Sequence, residues 1–421
     1  MLEIIMVLFT IYTLIKIYIS VMQVGYIAKE KSGEPVLMSQ EKYQIAGEYA
    51  IKKERLGIVS TMVEYGMFVW WVTKGFAWLA SILGTTNSTI DAVLFLFGFI
   101  AIGFIIGLPF EIYQTFKIDK EYGFTKTTPK LYLLDQVKSI SLTALLGGVV
   151  IYLLAWIINS FEYWWFWGFV ALFIVVLIAQ IIAPTIMALF NKFSPLEEGE
   201  LRTAIEEMMT KVGLKSDGIF VVDASKRDSR LNAYFGGLGK TKRVVLFDTL
   251  IEKLTNRELL AVLAHELGHF SHGDIWKNIG MIGILLFFAF ALFGNLPVNL
   301  FYEMGLEPYA GVKIAMIMLL LALIYFVFIP IMSFVSRHNE YSADKFGGNL
   351  GGKRNLATAL IKLVDENKSF PKSHPLVLFF YYTHPPVLER LKELGYEDEE
   401  AINDLTRPLD KSGIFAGLDE S

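Results

Sequence analysis

Seven stretches of this chain, at 2–24, 62–83, 92–113, 140–158, 164–190, 279–300 and 312–335, are apolar enough and nearly long enough to be laid end to end as membrane spans. A hydrocarbon core of about 30 Å takes roughly 20 apolar residues in helix, so each stretch predicts one spanning helix. Gly147 and Gly148 in the fourth and Pro184 in the fifth are tolerated where neighbouring helices resupply backbone partners. The rest of the composition agrees: 54% of residues are hydrophobic, only 19% are charged, and mean hydropathy is +0.48. A polytopic α-helical membrane protein is the expected class.

Charge in the connecting loops orients the bundle, because Lys and Arg collect on the cytoplasmic side. Lys29, Lys31, Lys42, Lys52, Lys53 and Arg55 follow the first span, and Lys117, Lys120, Lys126 and Lys130 follow the third. The loops after the second, fourth and sixth spans hold no basic residue. This alternation predicts an N-terminus outside, with residues 191–278 and 336–421 both cytoplasmic and able to meet. Four regions result: 1–190 with five spans, 191–278, 279–335 with two spans, and 336–421. The start, Met1-Leu2-Glu3, lacks a basic signal region, so the first span is expected to be retained. The end, Leu418 to Ser421, carries no lipidation box. Lys16, Glu64, Lys74 and Glu111 fall in or beside spans, where each needs a partner, a wet interior or a route to the interface.

A net charge of -4 and the lack of an aromatic-interleaved basic cluster argue against nucleic acid as a partner. The absence of cysteine excludes disulfides, thiolate metal sites and cysteine nucleophiles. Any metal must sit on His, Asp and Glu.

The cytoplasmic pieces read as one small mixed domain. A helix is expected over 200–212, strands over 218–224 and 243–248, and turn material at Gly236, Gly237, Gly239 and Lys240. Thr255-Asn256-Arg257-Glu258 has the form of a capping box and opens a further helix. That helix carries His265-Glu266-Leu267-Gly268-His269.

Two histidines four apart project from one helical face and can grip one zinc ion. Glu266 beside them suits the general base that takes a proton from metal-activated water. Two helical histidines beside a solvated glutamate is the bland alternative, which the capped helix and the scarcity of histidine make weaker. A catalytic zinc needs a third protein ligand. His272 and Ile275 stand where a metzincin requires Gly and His, so that extension is excluded. Glu340 and Asp344, one turn apart just after the last span, offer the third ligand in Glu340 and a supporting carboxylate in Asp344; a solvated acidic face is the competing reading. Asp274 can accept from a ligand imidazole or serve as a cap, and neither it nor His272 is taken as a ligand. His338 and His374 read as structural. His384, in Thr383-His384-Pro385-Pro386, either presents a donor to a developing oxyanion or plays no part in chemistry.

Taken together these residues resemble the zinc-dependent CAAX prenyl protease 1 family. The resemblance extends to 121–128 after the third span, 191–196 after the fifth, Asn232-Ala233-Tyr234, 340–344, and 383–386 with Arg390. It implies seven transmembrane helices forming a chambered barrel, closed on the cytoplasmic side by an α+β gluzincin domain. One zinc ion per chain would be held by His265, His269 and Glu340, with Glu266 as base. Asp344 would support the site, His384 would stabilise the tetrahedral intermediate and Arg390 would hold that loop. Asn232, Ala233 and Tyr234 would form the edge strand that receives extended substrate, which agrees with strand addition at a sheet edge.

The partners so implied are a peptide or protein substrate, prenylated or not, and membrane lipid. The membrane would be the plasma membrane in a prokaryote and the endoplasmic reticulum in a eukaryote. The compact chain also suits a quality-control peptidase similar to the heat-shock metallopeptidase HtpX. From another class, a non-catalytic zinc-binding transporter or scaffold is opposed by the intact Glu266, since a structural site needs no base.

Overall fold

The computed structural model describes residues 1–83, 88–214, 218–236, 243–397 and 399–406. Five long helices come first: α1 (Leu2–Glu30), α2 (Gln40–Leu83), α3 (Thr89–Asp119), α4 (Pro129–Ser160) and α5 (Trp164–Phe190). The sheet region follows, with β1 (Phe193–Pro195), α6 (Glu200–Lys211), β2 (Ile219–Val222), β3 (Ala233–Gly236), β4 (Arg243–Phe247), α7 (Asp248–Lys253) and α8 (Asn256–Ser271). Then come α9 (Asp274–Phe293), α10 (Val298–Glu303), α11 (Ala310–Gly351), α12 (Lys353–Glu366), α13 (Pro375–Tyr381) and α14 (Val387–Glu393). Among the described residues, seven helices are long and apolar enough to cross a membrane: α1 to α5, α9 and α11.

The seven spans fall where the apolar stretches predict, but most differ in extent. α2 starts at Gln40 and α4 at Pro129, well before their apolar cores, because Ser39 and Thr128 cap them by accepting from the backbone N–H of Lys42 and Leu131. Polar helical turns therefore continue the spans beyond the membrane. The sixth stretch ends early, at Phe293, where Gly294 and Pro297 break it before the separate short helix α10.

Each spanning helix packs on the next, and α11 closes the ring by returning to α1, α3 and α4. Packing is uneven along the ring. Phe68, Trp71, Phe76, Phe95, Leu96, Leu154, Phe290, Phe301 and Leu320 form one apolar core at the end remote from the sheet. Toward the sheet, by contrast, residues 97–113 of α3, 129–150 of α4 and 169–183 of α5 are all intermediate or exposed, and Ile151 is the first buried side chain in α4. Close packing between the spanning helices is therefore concentrated at the end remote from the sheet. Lys16 pairs with Glu64 at 3.0 Å, and Glu111 accepts from Gln136 at 2.8 Å, which supplies the partners that those charges need.

The sheet runs β1-β2-β4-β3, with β2 and β4 parallel and the other pairs antiparallel, leaving β3 as an edge. Gly236 ends β3; Gly237, Gly239 and Lys240 lie outside the described residues. Val244 and Leu246 of the sheet pack with Leu259, Leu263 and Leu267 of α8, so the motif helix lies on the sheet through its apolar face.

α11 is 42 residues long. At 1.5 Å per residue it reaches about 63 Å, enough to cross the membrane and continue into the catalytic region without interruption. It meets α8 through small residues. A Cβ on Gly268 would lie 3.0 Å from Ala343, one on Gly347 2.9 Å from the His265 backbone, and one on Gly351 2.5 Å from Ala261. These contacts, repeating every fourth residue on α11, let two helix backbones touch. His265 and His269 are thereby brought opposite Glu340 and Asp344. The catalytic pieces also dock on the near ends of α1, α2 and α3, through Lys372 to Glu30 at 2.8 Å, Asp365 to Lys42 at 2.5 Å and Arg230 to Asp119 at 2.9 Å.

Candidate metal centre and active site

The capping box is formed as its sequence predicts: Thr255 accepts from the Glu258 N–H at 3.3 Å, and Glu258 accepts from the Thr255 N–H at 2.9 Å. The helix it starts presents His265 and His269 with their Nε2 atoms 3.2 Å apart. From α11, Glu340 brings Oε1 to 3.2 Å from His269 Nε2 and Oε2 to 3.5 Å from His265 Nε2. His265, His269 and Glu340 are the one group of metal-capable side chains found among the described residues, with ligand atoms within 4.8 Å of one another.

This donor set fits a metal ion. Ligand atoms about 2.0–2.1 Å from a tetrahedral zinc lie roughly 3.3 Å from each other, which matches the spacing here. Glu340 Oε2 is buried and makes no hydrogen bond, its cationic neighbour Arg390 standing 3.4 Å away in an ion pair, so it keeps an acceptor site that a metal ion would satisfy. Three ligands leave a fourth position open, as catalysis requires.

Each histidine is held from behind by a carboxylate. His265 Nδ1 lies 2.9 Å from Asp344 Oδ1, and His269 Nδ1 lies 2.8 Å from Asp274 Oδ2. Such contacts fix the ring and leave Nε2 for the metal. Asp274, which the sequence left open between cap and support, touches the ligand. Arg390 donates through Nε and Nη2 to both oxygens of Asp344, at 2.7 and 2.6 Å, and reaches Glu340 Oε2 at 3.4 Å. It stands about one turn past the loop of His384 and ties that loop's following helix to α11. His384 Nε2 is 3.2 Å from Glu340 Oε1, while its ring remains 65% exposed.

Glu266 faces the same cavity, of about 350 Å³, whose walls include Asn232, Ala233, His384 and Arg390. Burial raises its carboxyl above the ordinary range, against the pull of His265 and His269. A carboxylate so placed is a stronger base than one in water. For His269, burial opposes the charged form, but hydrogen bonding to Glu340 and Asp274 outweighs it and raises the group to about 9 without a metal.

Asn232 and Ala233 reach this cavity at the start of the edge strand. Tyr234 turns the other way, and its hydroxyl meets the sulfur of Met187 on α5 at 3.2 Å, as the alternation of a strand dictates. Lys277, which sequence reasoning did not single out, donates to Asp274 at 2.6 Å and to Asn339 at 3.0 Å; its i,i+3 spacing from Asp274 was the available signal. His374 caps α13 by accepting from the Leu376 N–H, and His272 ends α8 against Phe346. Neither meets the metal-capable group.

Two family models cover the chain. One described as CAAX prenyl protease N-terminal, five membrane helices, matches residues 30–192, and one described as Peptidase family M48 matches residues 195–398. The CAAX prenyl protease 1 of Saccharomyces cerevisiae is 38% identical, covering 71% of each chain. The CAAX prenyl protease 1 homolog of Homo sapiens is 36% identical over 69% of this chain and 70% of that one. The crystal structure of S. mikatae Ste24p superposes with a TM-score of 0.85 at 31% identity, covering 93% of this chain and 98% of that chain. The protein is a multi-pass membrane metalloprotease, and it belongs to the CAAX prenyl protease 1 family of M48 peptidases.

Proposed function

We propose that the metal is a single zinc ion held by His265, His269 and Glu340, and that the enzyme cuts C-terminal CAAX-type prenylated peptides at the membrane surface. The observation that carries the metal reading is the Glu340 oxygen that makes no hydrogen bond, set between two imidazoles whose outer nitrogens are already engaged. The substrate reading rests on the relatives named CAAX prenyl protease 1 and on a catalytic cavity carried by a chain with seven helices long and apolar enough to cross a membrane.

When bound, zinc would act as a Lewis acid that acidifies water and polarises the scissile carbonyl. Glu266 takes the proton of the attacking water and passes it to the leaving amine, a role its raised affinity for protons suits. His384 donates to the oxyanion as it develops. Asp344 and Asp274 hold the ligand rings, and Arg390 neutralises Asp344 while fixing the His384 segment. Extended substrate adds along the outer edge of β3 at Asn232 and Ala233, replacing the Asn232 side chain that accepts from the Ala233 N–H at 2.9 Å, while Tyr234 seats that strand on α5.

The basic loops after α1 and α3 lie on the side of the catalytic pieces, which supports a cytoplasmic catalytic region and an outside N-terminus. The partners in this reading are peptide and lipid, not nucleic acid. The test is mass-spectrometric mapping of products from paired farnesylated and unmodified peptides, with and without a zinc chelator. Cleavage of the farnesylated member alone, abolished by chelation and by Glu266→Gln, is expected. Equal cleavage of both members would replace this reading with a general quality-control peptidase, and turnover unchanged in Glu266→Gln would remove the base.

A further inference from the structure

His384 reaches the metal centre on a segment without regular structure: Thr383, His384, Pro385 and Pro386 join the end of α13 to α14. Its ring is 65% exposed, and besides Glu340 Oε1 at 3.2 Å it meets only the hydroxyl of its neighbour Thr383, at 3.1 Å, as a polar partner. A ring so exposed is placed by the backbone that carries it. That backbone is short and stiff, since a residue before proline is confined to extended conformations and proline fixes its own φ. The position of His384 therefore follows the two helix ends that its segment joins. Arg390 ties the second of them to α11; the first is the end of α13.

α13 has seven residues, too few to be stable as a helix by itself, and its last carbonyls lack intrahelical donors. α11 supplies them. Arg337 Nη1 donates to the carbonyl of Leu378 at 2.8 Å and to that of Tyr382 at 2.7 Å, and Ser333 Oγ donates to that of Phe380 at 2.9 Å. Phe380 also stacks on Phe326 of α11, with ring centres 5.0 Å apart. At its other end α13 is tied to the first span, where buried Gln23 accepts from the His374 N–H at 2.8 Å and donates to Ser373 Oγ at 2.9 Å. Ser333, Arg337, Glu340 and Asp344 follow one another at steps of four, three and four, so they share one face of α11. The helix that brings Glu340 to the metal centre thus also carries the clamp on α13, one turn earlier.

We propose that Arg337 is a positioning residue for the oxyanion donor: by holding the carbonyls of Leu378 and Tyr382 it sets where His384 stands relative to the metal centre. Tyr382 is two residues from His384 and Arg337 three from Glu340, so one continuous helix indexes the donor to the ligand. An oxyanion donor acts only when it lies about 2.7–3.1 Å from the oxygen it stabilises, and a misplacement of about 1 Å can cost a hundredfold in rate. Without the clamp, the end of α13 loses the donors for its final carbonyls, and the segment bearing His384 loses its fixed origin. The three metal ligands lie on α8 and α11 rather than α13, so the loss falls on the transition state and not on the metal. The inference rests on the oxyanion role given to His384 above.

The test is a double-mutant cycle on the full-length protein: Arg337→Leu and Arg337→Lys, each with and without His384→Ala. For every combination kcat and KM on a farnesylated CAAX peptide and the zinc content are measured. His384→Ala alone should lower kcat about a hundredfold, the scale of one oxyanion donor. Arg337→Leu should lower kcat about tenfold or more while KM and zinc content stay at the wild-type level. Arg337→Lys, which keeps the charge and a donor on a side chain one bond shorter, should fall between, and it decides the matter if the leucine variant does not fold. In the His384→Ala background neither substitution should lower kcat further, because no donor is left to place. A purely structural role predicts the opposite, losses that multiply. Wild-type kcat in both Arg337 variants, losses that multiply with that of His384→Ala, or a fall in zinc content that accounts for the lost rate overturns the positioning role alone. Undiminished kcat in His384→Ala overturns the oxyanion reading, and the proposal with it.

Discussion

The two flanks of the metal site solve one problem with different materials. On the His265 flank, Asp344 is fully buried and is gripped by the two-pronged guanidinium of Arg390, itself 7% exposed. On the His269 flank, Asp274 is nearly as buried at 4%, but its cation is Lys277, whose side chain is 47% exposed. Both carboxylates orient an imidazole; only one is sealed from water together with its counter-ion. An Arg fork fixes geometry as well as charge, while a lysine supplies a mobile point charge. The difference teaches that the flank reaching across to α11 and α14 is the rigid reference of the site. The flank joined to α9 is closed instead by a cation that reaches water, with Lys277 also donating to Asn339 of α11 at 3.0 Å.

Breaking the rigid flank should have the larger effect. Asp344→Asn leaves buried Arg390 with Glu340 and Glu266 as its remaining acidic neighbours, and breaking a buried pair costs roughly 3–5 kcal/mol, with the low end expected here because those carboxylates remain. Loss of an outer-shell partner also lowers metal affinity or activity about 10–100-fold. Thermal unfolding and zinc titration of the purified variant would measure both. Asp274→Asn should stay near the tenfold end of that range and cost under about 1 kcal/mol, since Lys277 can turn to water. Equal losses in the two variants would erase the distinction between the flanks.

The third prediction concerns pH. In metal-free protein, hydrogen bonding to Glu340 and Asp274 overcomes burial and raises His269 to about 9, above its ordinary value of about 6.5. The folded form then holds the proton more tightly than the unfolded one. That contribution to stability is complete below about 6.5 and is lost as pH rises through about 9. Chelator-stripped protein should therefore unfold more easily at pH 9 than at pH 6.5, and Asp274→Asn should flatten that dependence. A profile that rises over this window would contradict the assignment.

Much of this was legible before any coordinates. The seven spans are visible because spanning demands a continuous apolar run, and His265, Glu266 and His269 because helical spacing puts them on one face. Glu340 followed once loop charge placed 191–278 and 336–421 on one side. Asp274 stayed open for a physical reason: Gly273, at a φ of 67°, ends α8 and turns the chain, so helical periodicity no longer says where Asp274 points. The starts of α2 and α4 were hidden because capped polar turns carry no apolar signal. The part played by Arg337 was invisible altogether, since it meets Leu378 and Tyr382 across 41 and 45 residues of sequence.

The central claim is that two pieces of chain, brought together by the crossing of α8 and α11, share one zinc ion. Elemental analysis of purified wild type and Glu340→Ala tests it most directly. Wild type should carry one zinc per chain and Glu340→Ala far less, while remaining folded by circular dichroism. A full zinc load in Glu340→Ala would remove Glu340 from the site and contradict the account.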